Sequence, residues 1–194
     1  MHQEEIRMKA PNLSTERLVL RQWTEEDLPL FAELNGDKRV MEHFPSTLSR
    51  QESDSLAEMI REELRSMPYG LWAVEIKDAV PFIGFVGLHK QDFPASFTPC
   101  IEIGWRIAYE YWGKGYAFEA ASKVIDYAFK ELQLDDLVSF TAVENLRSQR
   151  LMAKLKMSHD IKDDFEHPKL PIGHRLRPHV LYRLNSKDFF NRVG

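Results

Sequence analysis

The stretch Glu110-Tyr111-Trp112-Gly113-Lys114-Gly115-Tyr116-Ala117 stands between a strand-like run and a long amphipathic helix, a junction that can hold an anion. Before it, Cys100 to Ile107 alternates apolar with other residues, as a strand does when its faces meet different surroundings. After it, Ala120, Ala121, Val124, Ala128 and Leu132 recur at helical spacing, with Glu119, Lys123, Asp126 and Lys130 largely on the other side. Gly113 and Gly115 therefore lie at a helix start, where main-chain N–H groups are exposed and the helix dipole favours negative charge.

The loop lacks the Lys and hydroxyl placement of a GxxxxGK[ST] phosphate loop, which excludes that mode of nucleotide triphosphate binding. The dinucleotide fingerprint GxGxxG fails as well, because its third glycine is Phe118. By itself, a pair of glycines in a surface turn is more often turn chemistry than a ligand site.

A second block, Asn145-Leu146-Arg147-Ser148-Gln149-Arg150-Leu151-Met152-Ala153-Lys154-Leu155-Lys156-Met157, accompanies it. Together they resemble the GNAT superfamily of N-acetyltransferases, whose pyrophosphate loop reads [Q/R]xxGx[G/A] and whose later helix reads NxxSxxxxxKLGF. The chain departs at Glu110, where the family has Gln or Arg, and at Lys156, where it has Gly. Thr15 to Arg21, Ile101 to Trp105 and Arg177 to Leu184 further resemble the ribosomal-protein-alanine acetyltransferase branch. The resemblance spans about residues 13 to 190.

It implies an α+β fold with a mixed, mostly antiparallel central sheet flanked by helices, whose central strands splay to hold the cofactor. The implied donor is acetyl-CoA, with Trp105, Arg106, Ile107, Trp112, Gly113, Lys114, Gly115, Tyr116, Ala117, Asn145 and Ser148 as the cofactor-binding set. The implied reaction is direct attack of a primary amine on the thioester in a ternary complex. The branch tilts the acceptor toward a protein N-terminus, while polyamines, amino acids and antibiotic amines stay open. A non-catalytic acyl-CoA sensor is the competing reading.

Such a transfer needs a proton acceptor, a polarised carbonyl and a proton for the thiolate. Glu102 is the candidate base, because on a strand it shares a face with Gly104, whose missing side chain leaves room for an amine. A carboxylate held by a cross-strand cation is the plainer reading. Ser148 is the candidate acid and otherwise a helix-surface hydroxyl; the Tyr that many family members carry further along this helix is absent at Leu151-Met152. Asn145 is suited to start the helix and to bind cofactor through its amide. A main-chain N–H near Ile107 is the implied polariser. Tyr111 and Trp112 are candidates to line the pantetheine channel, and Phe44 and Tyr69 to shape the acceptor pocket.

Length and composition fit one domain: 194 residues, 43% hydrophobic and 29% charged, expected as a loose arm over 1–13 and a single domain over 14–194. A net charge of −4 argues against a nucleic-acid partner. The series Arg147, Arg150, Lys154 and Lys156 reads as a solvated face, as contacts to cofactor phosphates, or as a partner surface. His159, His167, His174 and His179 lack ligand spacing, so no metal is expected. Cys100 is the only cysteine and no run reaches the ~18 apolar residues of a span, which points to the cytoplasm and away from secretion and membranes. A homodimer is left open.

The strand and helix expectations are strands at 17–23, 71–76, 82–88, 100–107, 137–143, 157–165 and 179–184. Helices are expected from a Thr24/Asp27 capping-box entry to Gly36, and at 37–43, 50–66, 117–132, 145–157 and 186–192.

Overall fold

The computed structural model describes residues 9 to 193. In chain order its elements are β1 (Leu13–Ser14), β2 (Leu18–Arg21), α1 (Asp27–Gly36), α2 (Arg50–Ser66), β3 (Leu71–Ile76), β4 (Val80–Gln91) and β5 (Cys100–Ile107). Then follow α3 (Tyr116–Lys130), β6 (Asp136–Ala142), α4 (Leu146–Lys154), β7 (Ser158–His159), β8 (Phe165–Glu166), β9 (Pro178–Asn185) and α5 (Ser186–Val193). The sheet runs β1-β2-β3-β4-β5-β6-β9-β7, with β8 also on β9. Every pair is antiparallel except β5 with β6. This is the mixed, mostly antiparallel α+β architecture expected from the sequence.

Alternation along the strands sends side chains to two helical layers. On one side Trp23, Phe82 and Phe85 pack against Phe31 of α1, with centroids 5.0 Å apart for Trp23 and Phe31 and 6.0 Å for Phe31 and Phe85. On the other, Trp72 of β3 meets Tyr127 of α3 edge-on at 5.9 Å. Helix α2 starts in a complete capping box: Ser49 Oγ accepts from Glu52 N–H and the Glu52 carboxylate accepts from Ser49 N–H. At α1 only the return half forms, since the buried Asp27 carboxylate accepts from Thr24 N–H at 2.8 Å and also pairs with Arg21.

Several expectations need correction. Of the arm expected over 1–13, residues up to Met8 lie outside the described residues, and the rest is not loose. Ala10 and Leu13 are buried, Gln22 Nε2 donates to Ala10 O at 3.0 Å, and Trp72 Nε1 donates to Pro11 O at 2.8 Å. Residues 37–43 form turns instead of a helix: the Asp37 carboxylate accepts from Arg39 N–H and caps a single turn closed by Met41 N–H on Asp37 O at 3.0 Å, and the next bond, from Phe44 N–H to Met41 O, is of the tighter three-residue kind. The strand expected over 157–165 is cut into β7 and β8 by a 3-10 turn at Ile161–Asp163, where Asp160 accepts from Lys162 N–H at 3.0 Å.

The departure at Lys156 leaves the turn after α4 intact. Lys156 takes the left-handed conformation (φ 65°), and its N–H reaches Ala153 O while Met157 N–H reaches Met152 O, the paired bonds of a Schellman ending. A lysine accepts here the strain that glycine would avoid, about 1 kcal/mol.

Candidate active site

Strand β5 organises the site because its two edges are treated differently. Its β4 edge is paired continuously, from Gly84 opposite Ile107 to Gln91 opposite Cys100. Its β6 edge is paired only where Glu102 meets Val138. From Ile103 to Ile107 β5 has no ladder partner on β6, so the two parallel strands part along the edge that runs on to the glycine loop.

The chain leaves β5 through a 3-10 turn at Tyr109–Tyr111, and Trp112 Nε1 donates back to Ile107 O at 2.7 Å. Gly113 (φ 74°) and Gly115 (φ 84°) are both left-handed, which glycine adopts without the clash a Cβ would bring. No heavy atom stands within 4 Å of where a Gly113 Cβ would be, so open space lies against the loop. Gly115 caps α3 without a side-chain acceptor, leaving first-turn N–H groups for an anion. Arg17 braces the turn from outside: Nη1 donates to Lys114 O at 3.1 Å, Nε donates to Glu119 at 2.6 Å, and the guanidinium lies 4.6 Å from the Tyr116 ring. The Lys114 side chain is exposed beside Tyr111, and Ala117 packs on the core.

Helix α4 forms the facing wall. Asn145 Oδ1 accepts from Ser148 N–H, and its Nδ2 donates to Thr141 Oγ1 at 2.9 Å and to Ser148 Oγ at 3.1 Å. Its amide is thus engaged within the protein on both sides. Trp105 Nε1 also donates to Ser148 Oγ, at 3.3 Å. With two N–H donors on one hydroxyl oxygen, both acceptor positions are filled and its proton is left to donate outward. Of the basic series, Arg147 stacks on Trp112 at 3.9 Å and Lys154 on Phe118 at 4.3 Å, which draws α4 against the loop and α3.

The opposite face of β5 carries Glu102, Gly104 and Arg106. Glu102 accepts from Gln91 Nε2 at 2.6 Å, and its cross-strand neighbour is His89. The residue keeps some exposure, yet dense packing around its carboxyl group disfavours the charge and pushes the pKa up to about 7, only partly offset by Gln91, His89 and Lys169. His89 is itself shifted upward by its hydrogen bond to Glu63 (2.9 Å). Nothing lies within 4 Å of a Cβ placed on Gly104, so the space beside Glu102 is open. Arg106 sends its side chain away from Trp105 and Ser148 toward α1, and only its main chain remains on the opened edge. Phe44 lies over that guanidinium at 4.2 Å, while burial, and after it the charge of Glu63, raises the pKa of the partly buried Tyr69 hydroxyl.

The fold thus gathers the loop, Trp105, Ile107 and Ser148 on one side of β5 and Glu102 with Gly104 on the other. Sequence reasoning missed Gln91, Arg17 and Asn35. The β4–β5 register puts Gln91 diagonal to Glu102, a relation that becomes readable once the length of the intervening turn is known. Among the described residues no three His, Cys, Asp or Glu gather for a metal, and no helix is long and apolar enough to cross a membrane. His167 and His179 lie 4.9 Å apart in an aromatic cluster with Phe93, Phe140 and Phe165, and burial lowers the pKa of both, that of His167 to about 4.

Residues 17–158 match the family model described as an acetyltransferase (GNAT) domain. The N-acetyltransferase YnaD of Bacillus subtilis is 28% identical over 92% of this chain and 99% of its own. The [ribosomal protein uS5]-alanine N-acetyltransferase of Escherichia coli is 26% identical over 91% of this chain and 92% of its own. Among solved structures, a GNAT-family acetyltransferase from Bacillus anthracis superposes with a TM-score of 0.75 at 24% identity, covering 91% of this chain and 99% of that one.

Proposed function

Since the chain belongs to the GNAT acetyltransferase family and is an acetyl-CoA-dependent N-acetyltransferase, we propose that the opened edge of β5 is its donor site and the Glu102–Gly104 face its acceptor site. The observation that carries this reading is the parting of β5 from β6 beyond Glu102, between the glycine loop and Ser148. The residues there fit a CoA thioester: an uncapped helix start beside two left-handed glycines, with open space at Gly113, suits a pyrophosphate. Bound there, acetyl-CoA supplies the acetyl group.

In this reading Gly113, Lys114, Gly115, Tyr116 and Ala117 bind phosphate through the main chain. Trp112 and Tyr111 flank the pantetheine, and the main chain of Trp105, Arg106 and Ile107 faces the thioester, its N–H groups polarising the carbonyl. Ser148 donates its free proton to the sulfur side. Asn145 acts by holding Ser148 instead of touching cofactor, because its amide is engaged in the cap. Glu102, poised near neutrality, takes the amine's proton directly or through water. The similarity to the uS5-alanine enzyme favours a protein N-terminal amine as acceptor.

The test is thiol release from acetyl-CoA with a panel of amines and N-terminal peptides. Release above hydrolysis with at least one amine supports the reading. CoA binding with no amine-dependent release favours the sensor, and absence of CoA binding sinks both. Gly113→Val is expected to weaken CoA binding about tenfold or more, because its side chain would enter the open space at a φ that also costs about 1–3 kcal/mol; calorimetric titration with CoA measures it. Ser148→Ala is expected to lower kcat only about tenfold, below the ~10²–10⁴ typical of general acids, since a thiolate leaves readily. An unchanged kcat would remove Ser148 from the chemistry.

A further inference from the structure

Arg106 is a cation without a counter-ion. No carboxylate among the described residues pairs with it, and its one hydrogen bond runs from Nη1 to Asn35 Oδ1 at 2.5 Å. Its Nε–H is buried with no partner among the described residues. Asn35 is fully buried and oriented by Ser53, whose Oγ accepts from Asn35 Nδ2 at 2.9 Å, so a neutral amide is held where an aspartate of the same shape would neutralise the charge. Taking a guanidinium out of water without an anion costs several kcal/mol, about what breaking a buried ion pair costs. Burial accordingly pulls the Arg106 pKa down to about 10. The rings of Phe44 (4.2 Å) and Phe85 (5.4 Å) offset part of that cost and leave the charge itself uncompensated.

Its position gives the charge a use. Glu102, Gly104 and Arg106 share one face of β5, with about 13 Å of strand between the outer two, and the space over Gly104 is open. One end of this strip carries a carboxyl group suited to an amine. The other carries a guanidinium that keeps some exposure: its Nε is covered, while its Nη2 makes no hydrogen bond and is the atom a carboxylate would meet with a charge-assisted bond.

We propose that Arg106 anchors a carboxylate on the acceptor, so that the preferred acceptors are amines that also carry a carboxylate, seated with the amine toward Glu102 and the carboxylate toward Arg106. This rests on the acetyl-transfer reading of the same face. It makes Arg106 a specificity-determining residue, held ready by Asn35, Ser53 and Phe44. Peptides with an acidic residue near the N-terminus have this chemistry, whereas a free α-amino acid holds its two groups only about 3 Å apart, too short to reach both ends of the strip.

The experiment measures kcat/KM for thiol release with matched acceptors in two arms. One compares free L-amino acids with their carboxamides; the other compares Ala-Glu with Ala-Gln peptides whose C-termini are amidated. The expected result is a preference of about tenfold or more for Ala-Glu over Ala-Gln, equivalent to about 1.4 kcal/mol. A preference confined to the free amino acids would place the carboxylate anchor elsewhere than Arg106. Arg106→Gln is expected to bring the ratio to within about twofold of unity. Asn35→Asp should do the same while keeping the packing, because it supplies an internal carboxylate to the guanidinium; it serves where Arg106→Gln does not fold. A purely structural Arg106 would leave the ratio unmoved in both variants. Equal use of Ala-Glu and Ala-Gln by the native chain, or a ratio that survives Asn35→Asp, overturns the proposal. If CoA binds and no amine releases thiol, the acetyl-transfer reading falls first and this inference with it.

Discussion

Glu102→Gln is expected to lower kcat by about 10²–10⁴, the range for loss of a positioned general base, while the protein becomes more stable above neutral pH. The two effects share one cause. The Glu102 carboxyl group is crowded enough to raise its pKa to about 7 from an ordinary 4.5, so the deprotonated form that takes a proton from an amine is also the form the fold disfavours. An acid whose folded pKa is raised contributes no loss below pH 4.5, where both states are protonated. Between 4.5 and 7 the unfolded chain ionises first, folding takes up a proton, and stability falls as pH rises. At 1.36 kcal/mol per unit the loss by pH 8 is on the order of 3 kcal/mol.

The Gln variant lacks that loss, and it can keep the bond from Gln91 through its own carbonyl oxygen. Chemical denaturation at pH 5 and pH 8 should therefore show the variant and native chains converging at low pH and separating at high pH. In activity, the native chain should show an inflection near pH 7 in kcat/KM that Glu102→Gln abolishes. A variant that retains activity within about threefold would reduce Glu102 to a group that orients the amine, and an unchanged pH profile would place the ionisation elsewhere.

What could be read in the sequence follows from how local its causes are. The α2 and β5 boundaries are legible to the residue because their signals are local: Ser49 and the Met67-Pro68 break bracket α2, and a clean alternation marks β5. The glycine loop is legible for the same reason, since both left-handed turns need glycine. The failure at 37–43 shows the limit, because seven or so residues with one aspartate do not repay helix nucleation without tertiary support, and the single turn that Asp37 caps goes no further.

The site divides likewise. Glu102 and Ser148 can be named from spacing and resemblance, whereas what tunes them comes from distant parts of the chain. Gln91, the Trp105 indole and the neutral pairing of Arg106 with Asn35 exist only once β4, α1 and α4 have converged on β5. No window of sequence contains Asn35 and Arg106 together. The amide at 35 reads as an ordinary polar residue near the end of a helix until its partner is seen.

Two glycines in this region should respond oppositely to the same substitution, and the contrast separates scaffold from site. Gly84 takes φ 135°, and a Cβ there would lie 2.1 Å from Arg106 O and 2.9 Å from Ile107 Cα, both main-chain atoms of β5 that cannot swing aside. Gly84→Ala therefore combines a strained backbone with overpacking, each worth about 1–3 kcal/mol, and is expected to cost about 4 kcal/mol in all. It would also push β5 at Arg106 and Ile107, on the stretch that has parted from β6, so CoA affinity should fall in whatever fraction remains folded. Gly104 has an ordinary strand conformation and nothing within 4 Å of its would-be Cβ. Gly104→Ala should then be neutral or stabilising by about 0.5–1 kcal/mol, because alanine loses less backbone freedom on folding. Its methyl group would enter the space beside Glu102, raising KM for the acceptor and leaving CoA affinity unchanged. Thermal unfolding, CoA titration and acceptor kinetics on the two variants read these outcomes separately. If Gly104→Ala left acceptor KM untouched while Gly84→Ala behaved as described, β5 would keep its role as the donor scaffold and the acceptor would have to approach by a path that avoids the Glu102–Gly104–Arg106 face.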